Sequence, residues 1–180
     1  MELKNIDVIW QGCKNADRKA QYDLYQYFSA KMHAVCLRYA KDSQEAEDIL
    51  QAGFVKVFTK HDLFDGRGSL EGWIRRIMVN LAIETHRKNK IKFVDVEDHA
   101  SISIHSSIGT DQSNYQDLMA LVRRLPIGYK TIFNLYAIEG YSHKEISEML
   151  QISEGNSKSQ LSRARTWLKD RITQMEKIGL

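Results

Sequence analysis

Three groups of side chains in this sequence could bind a charged partner, two of them a polyanion. Ser157, Lys158, Gln160, Ser162, Arg163 and Arg165 recur on one side of a segment whose Leu161, Ala164, Leu168 and Ile172 fall at helical spacing. Amide, hydroxyl and guanidinium groups on one helix face suit hydrogen bonding to base edges and phosphates. Arg75, Arg76, Asn80, Glu84 and Arg87 make a second polar face, running into His86-Arg87-Lys88-Asn89-Lys90. Glu45, Glu47 and Asp48, with Gln51 beyond, make a third group of opposite sign. Carboxylates in a first helical turn suit the helix dipole, and they also suit a basic partner. No Ser-His-Asp arrangement, Gly-rich phosphate loop or metal-ligand spacing stands out. His33 and Cys36 share a helix face but lack further ligands, so packing explains them better than zinc. No catalytic residue, cofactor or metal is expected.

The elements that must position these groups are helical throughout. Ser142 and Glu145 form an S-x-x-E capping box that starts a short helix at His143, with Ile146, Met149 and Leu150 on its buried stripe. Gln151, Ile152 and Ser153 break the pattern, and Ser153 caps a second helix from about Glu154. A tight turn between two helices, the second basic outside, is the layout of a helix-turn-helix; a plain helical hairpin is the bland alternative. Asp65-Gly66-Arg67-Gly68 reads as a loop, with Ser69 capping a helix that buries Leu70, Trp73, Ile74, Ile77, Met78 and Leu81. Asp42 and Ser43 precede the cleanest amphipathic pattern of the chain, Ala46, Ile49, Leu50, Gly53, Phe54, Val57 and Phe58. Asp17 to Ala40 reads as a long helix with Ala20, Leu24, Phe28, Met32, Val35 and Leu37 inward. A short apolar cluster, Ile6 to Trp10, suggests a first helix.

The chain has 180 residues, 43% of them hydrophobic, and a net charge of +3. The charge is unevenly spread. Phe93 to Val122 holds no Lys or Arg but several carboxylates, so the basic residues flank an acidic middle. That middle, rich in serine and without periodicity, reads as a linker over 93–114 between an N-terminal helical domain (1–92) and a C-terminal one from Tyr115 (115–180). The class is all-α: two small helical domains joined by an acidic linker, the second a helix-turn-helix. Two distant cysteines, Cys13 and Cys36, suit a reducing cytoplasm, and no apolar run reaches the length of a membrane span.

The chain resembles the bacterial RNA polymerase sigma factors of the extracytoplasmic-function (ECF) group. The resemblance runs from about Asp17 to Ile172. It rests on Ala46-Glu47-Asp48-Ile49-Leu50-Gln51; Phe64-Asp65-Gly66 with Trp73-Ile74-Arg75-Arg76-Ile77 and Asn80-Leu81-Ala82; Leu125-Pro126; Glu139-Gly140-Tyr141-Ser142; and Ile152-Ser153-Glu154-Gly155 with Lys158-Ser159 and Leu161-Ser162-Arg163-Ala164-Arg165. It implies a promoter-specificity subunit that binds core polymerase and helps open the duplex. Glu45, Asp48 and Gln51 would dock on the clamp helices of the largest polymerase subunit. Asp65, Gly66, Arg67, Gly68, Ser69, Trp73, Arg75, Arg76, Asn80, Arg87 and Lys88 would read and hold the minus-ten element as single-stranded DNA, the loop capturing a flipped base. Ser157, Lys158, Gln160, Ser162, Arg163 and Arg165 would face the minus-thirty-five duplex. An anti-sigma factor, in the family often membrane-bound, is the expected regulator; direct membrane insertion is not expected. Four positions depart from the family pattern: Ala52 and Gly53 replace an acidic and an aliphatic residue common in the family, and Ser157 and Gln160 stand where an aliphatic residue and an Arg are common.

Two other readings fit parts of the chain. One is a free-standing helix-turn-helix regulator with an N-terminal sensor or dimerisation domain, which gives no role to the basic helix Ser69 to Lys90. The other is a metal-dependent enzyme acting on nucleic acid through Glu45, Glu47 and Asp48.

Overall fold

A computed structural model describes residues 6–90 and 111–178. Among these residues there is no strand, and the contacts divide the chain into two compact units, Met1–Lys88 and Asn89–Leu180.

In the first unit, α1 (Ile6–Lys14) buries Ile9, Trp10 and Cys13. Asp17 then caps α2 (Arg18–Tyr39), its carboxylate accepting from the Lys19 and Ala20 amides at 2.8 and 3.4 Å. Ala20, Leu24, Phe28, Met32, Val35, Cys36 and Tyr39 of α2 are buried; Leu37, expected inward, is only half-buried, because the stripe drifts to Cys36 and Tyr39. Helix α3 (Ser43–Thr59) starts at the Asp42 cap and buries Ala46, Ile49, Leu50, Gly53, Phe54 and Val57. Helix α4 (Leu70–Lys90) follows a 3-10 turn, His61–Leu63, and an exposed loop. Its buried residues are Ile74, Met78, Val79, Ala82 and Ile83, while Leu70, Trp73, Ile77 and Leu81 are half-buried. The packed face is thus rotated from the stripe read in the sequence. A helix with apolar residues around more than half its circumference offers overlapping stripes, and packing against neighbouring helices, α3 through Met78 and α1 through Trp73, selects one.

Close approach explains Gly53. A Cβ built there would collide with the thioether of Met78, 2.6 Å from its Cε. Met78 is fully buried and occupies the volume that an aliphatic side chain on α3 would fill.

In the second unit α5 (Asp111–Arg123) leads to Pro126, which opens α6 (Ile127–Phe133), prolonged by a π-helical turn over Asn134–Ile138. Gly140, at φ 81°, ends that helix. The acidic stretch read as a linker lies outside the described residues over 93–110, and residues 111–114 belong to α5. Their polar side chains hide the helix start from a reading based on apolar spacing. Helices α7 (His143–Leu150) and α8 (Glu154–Ile178) complete the unit. Leu121, Val122 and Leu125 of α5 and its exit pack with Ala164 and Leu168 of α8, flanked by Tyr129, Phe133, Trp167 and Met175.

Candidate nucleic-acid interface

The short helix α7 and the long helix α8 of the second unit form as their residues dictate. Ser142 Oγ accepts from the Glu145 amide at 3.2 Å, and the Glu145 carboxylate accepts from the Ser142 amide at 2.8 Å, closing the capping box. Gln151 ends α7 in the left-handed region at φ 54°. Ser153 Oγ accepts from the Asn156 amide at 3.1 Å and starts α8. Ile146, Leu161, Ala164 and Leu168 are buried, which fixes the rotation of α8.

That rotation exposes Lys158, Ser162, Arg163 and Arg165, as expected, together with Ser159, Thr166 and Lys169, which the sequence reading passed over. It does not expose Ser157. This side chain is fully buried, and its hydroxyl lies 2.9 Å from His143 Nδ1 at the start of α7. Ser157 precedes Leu161 and Ala164 by four and seven residues, so it belongs to the packed stripe and not, as expected from the sequence, to the exposed polar face. Gln160 is half-buried: Nε2 donates to Asn156 Oδ1 at 2.9 Å, and the side chain leans on the α6 backbone at Gly128. The His143 ring stacks on Tyr136 (4.6 Å, 24°), and the Arg165 guanidinium sits 5.6 Å over the same Tyr136 ring. His143, Lys158, Leu161, Ser162, Arg165, Thr166 and Lys169 line an open cleft of about 400 Å³. Cations and hydroxyls around such a cleft suit phosphate oxygens.

In the first unit the loop before α4 is built by its own side chains. Asp65 Oδ1 accepts from the Arg67 amide at 2.9 Å, and Asp65 Oδ2 is 3.4 Å from Arg67 Nε. Gly66 and Gly68 take φ of 78° and 87°, and open space surrounds both. Ser69 Oγ accepts from the Gly72 amide at 3.0 Å and caps α4. Asp65 through Ser69 are exposed. Along α4, Arg76, Asn80 and Arg87 are exposed and share one face by spacing, with half-buried Trp73 a turn earlier. Arg75 departs from that face. It precedes Met78, Val79 and Ala82, all buried, and is itself half-buried. The side chain of Lys88 lies outside the described residues.

The acidic group divides in the same way. Glu45 is half-buried, and its carboxylate accepts from the Lys41 amide at 2.7 Å while Asp42 caps the Glu45 amide at 2.8 Å. Its first duty is therefore to start α3. Asp48 and Gln51 are exposed on a common face with Val55, and Glu47 and Gln51 border a pocket of about 330 Å³ with Tyr25, Ser29, Ala30, His33 and Leu50. Among the described residues no cluster of His, Cys, Asp or Glu, Glu45, Glu47 and Asp48 included, is arranged to hold a metal ion. No described helix is long and apolar enough to cross a membrane.

Two family models match, one over most of each unit. Sigma-70 region 2 matches residues 24–91, and Sigma-70, region 4 matches residues 115–168. ECF RNA polymerase sigma factor SigW of Bacillus subtilis (strain 168) is 28% identical over 172 residues, covering 88% of this chain and 92% of the relative. ECF RNA polymerase sigma factor SigM of the same organism is 28% identical over 151 residues, covering 82% and 91%. Among solved structures, the sigma factor RpoE from Bartonella quintana, in complex with the anti-sigma factor NepR, superposes with a TM-score of 0.51 at 23% identity, covering 84% of this chain and 97% of that one. CnrH, in complex with the cytosolic domain of CnrY, gives 0.51 at 17% identity, covering 94% and 99%; both likenesses concern the fold. With both sigma-70 regions matched in order and relatives aligned along nearly their whole length, this chain belongs to the ECF group of RNA polymerase sigma factors.

Proposed function

We infer that this protein is a promoter-specificity subunit that binds core RNA polymerase, recognises two promoter elements and helps open the duplex. The observation that carries the reading is the pairing, in one chain, of a region 2 unit with a region 4 unit, each with an exposed cationic helix face. A regulator with a sensor domain needs only one such face.

The division of labour follows from exposure. Asp48 and Gln51 offer polymerase a polar, acidic helix face, and Glu45 holds the start of that helix. Arg76, Asn80 and Arg87 track single-stranded minus-ten DNA, an amide among cations, while the Asp65–Ser69 loop takes an unstacked base into the open space around its glycines. Lys158, Ser162, Arg163 and Arg165 meet the minus-thirty-five duplex, with Ser159, Thr166, Lys169 and His143 added as phosphate contacts. Ser157 and Arg75 support from within. The protein performs no covalent step itself and acts in the cytoplasm, where polymerase is. An anti-sigma factor is the proposed regulator, and the exposed Val55, on the α3 face shared with Asp48 and Gln51, is an apolar side chain it would cover.

The test is run-off transcription from a promoter library by bacterial core polymerase with and without the protein. Selective transcripts sharing a two-element motif support the reading. A protein that shifts DNA but never joins core polymerase would instead be a free-standing regulator.

A further inference from the structure

Three aromatic rings meet beneath the loop that precedes α4. Trp10 of α1 stands edge-on to Phe64 (5.9 Å, 79°) and to Trp73 (5.6 Å, 64°), and Phe64 and Trp73 lie 5.4 Å apart. Phe64 is the residue just before Asp65, and Trp73 lies in the first turn of α4. The rings therefore join the two ends of the Asp65–Ser69 loop. Trp10 is the common partner, 5% exposed, and the Lys14 ammonium lies 5.9 Å over its ring. The loop has little else to fix it. It is exposed, its two glycines face open space, and its own bonds run between neighbours: Asp65 to Arg67, and Ser69 to Gly72. A loop with two left-handed glycines carries large backbone freedom, and an anchor at both ends removes much of it. Lys31 adds a second tether, its ammonium 2.8 Å from the Glu71 carboxylate in the first turn of α4.

We propose that α1, which precedes the segment matched by the region 2 model, is a positioning element for the base-capturing loop, and that Trp10 is its positioning residue. Trp10 touches no DNA in this scheme. It sets the spacing of Phe64 and Trp73, and so the shape of the loop before DNA arrives. Edge-to-face aromatic contacts have a preferred geometry, so they hold a spacing that an aliphatic side chain of equal area would not. The inference rests on the loop's proposed role in reading the minus-ten element.

The experiment uses the full-length protein and single-stranded oligonucleotides carrying the minus-ten element found by run-off transcription, each paired with a version altered at the captured base. Trp10→Ala, Trp10→Phe, Ile9→Ala and Asp65→Ala are compared. Ile9 is buried on the same helix but lies outside the ring cluster. Trp10→Ala is expected to lose roughly tenfold in discrimination between the two oligonucleotides while keeping its affinity for core polymerase, since small misplacements of a reading group are costly. Trp10→Phe should recover most of that discrimination, and Ile9→Ala should retain it at a similar loss of thermal stability. Full discrimination by Trp10→Ala, with discrimination lost in Asp65→Ala, overturns the role of Trp10. Equal losses in Trp10→Ala and Ile9→Ala also overturn it, leaving only a contribution to stability. If Asp65→Ala discriminates as the unaltered protein does, the loop is not the reader, and the proposal falls with that reading.

Discussion

Ser157 and the two cysteines show how burial decides what a side chain does. The Ser157 hydroxyl is sealed between α7 and α8 on His143. Ser157→Ala leaves the imidazole without that partner and should lower the stability of the second unit by about 1 kcal/mol, the net worth of one such bond. Base preference at the minus-thirty-five element should stay the same, because the side chain is fully buried. Urea denaturation followed through Trp167, together with a binding selection, checks both halves. Cys13 and Cys36 are free and buried. Burial, reinforced by the Asp17 and Asp23 carboxylates, pushes the Cys13 thiol from 9.0 up to about 11. Burial pushes Cys36 up to about 12, partly opposed by a backbone hydrogen bond and Arg38. A folded state that holds its protons to higher pH than the unfolded chain gains stability that is complete below about pH 9 and is lost as pH rises through 11 and 12. Denaturation midpoints at pH 8 and pH 10.5 should show this fall, and Cys36→Ala should flatten it. At neutral pH both thiols stay protonated, so a maleimide should react only on unfolding.

Helix packing in the first unit turns on the exchange of volume between Gly53 and Met78. Filling the glycine overpacks the contact between α3 and α4, so Gly53→Leu should destabilise by about 1–3 kcal/mol. Met78→Ala alone leaves a cavity and should cost about 2–5 kcal/mol. Together the changes should cost less than their sum by about 1 kcal/mol or more, since each relieves the other. A thermodynamic cycle on four purified proteins measures that coupling; simple additivity would mean that the two residues do not share the space. The same pair accounts for the departure at Gly53 from the family pattern, because the aliphatic volume is supplied from α4. The helix-turn-helix was legible in sequence down to its caps, since Ser142, Glu145 and Ser153 act on amides within three residues of themselves. The rotation of α4 was not, because overlapping apolar stripes compete along it and the choice rests on what α1 and α3 present.

Charge governs the molecule as a whole. A net charge of +3 is small, yet cations gather on the exposed faces of α4 and α8. Binding to promoter DNA should therefore weaken steeply with salt. Arg76→Ala or Arg87→Ala should lower the slope of log affinity against log salt by about 0.7 on single-stranded minus-ten DNA. Lys158→Ala or Arg163→Ala should lower it by about 0.9 on minus-thirty-five duplex. Fluorescence anisotropy across a salt series tests each pair on its own substrate. Ser157→Ala, tested beside them, should leave the slope unchanged.

By itself the sequence determined the helical class, the two matched regions, the helix caps, and the cation-bearing faces at Arg76, Asn80, Arg87, Lys158, Arg163 and Arg165. All of these follow from local spacing and from the reach of a side chain to its own backbone. Only the tertiary structure decided which polar residues face outward. It buried Ser157, half-buried Arg75 and Gln160, assigned Glu45 to a helix start, and brought Trp10 against Phe64 and Trp73 across more than fifty residues of chain. Those outcomes depend on how helices distant in sequence pack, and periodicity along any one of them carries no record of its neighbours.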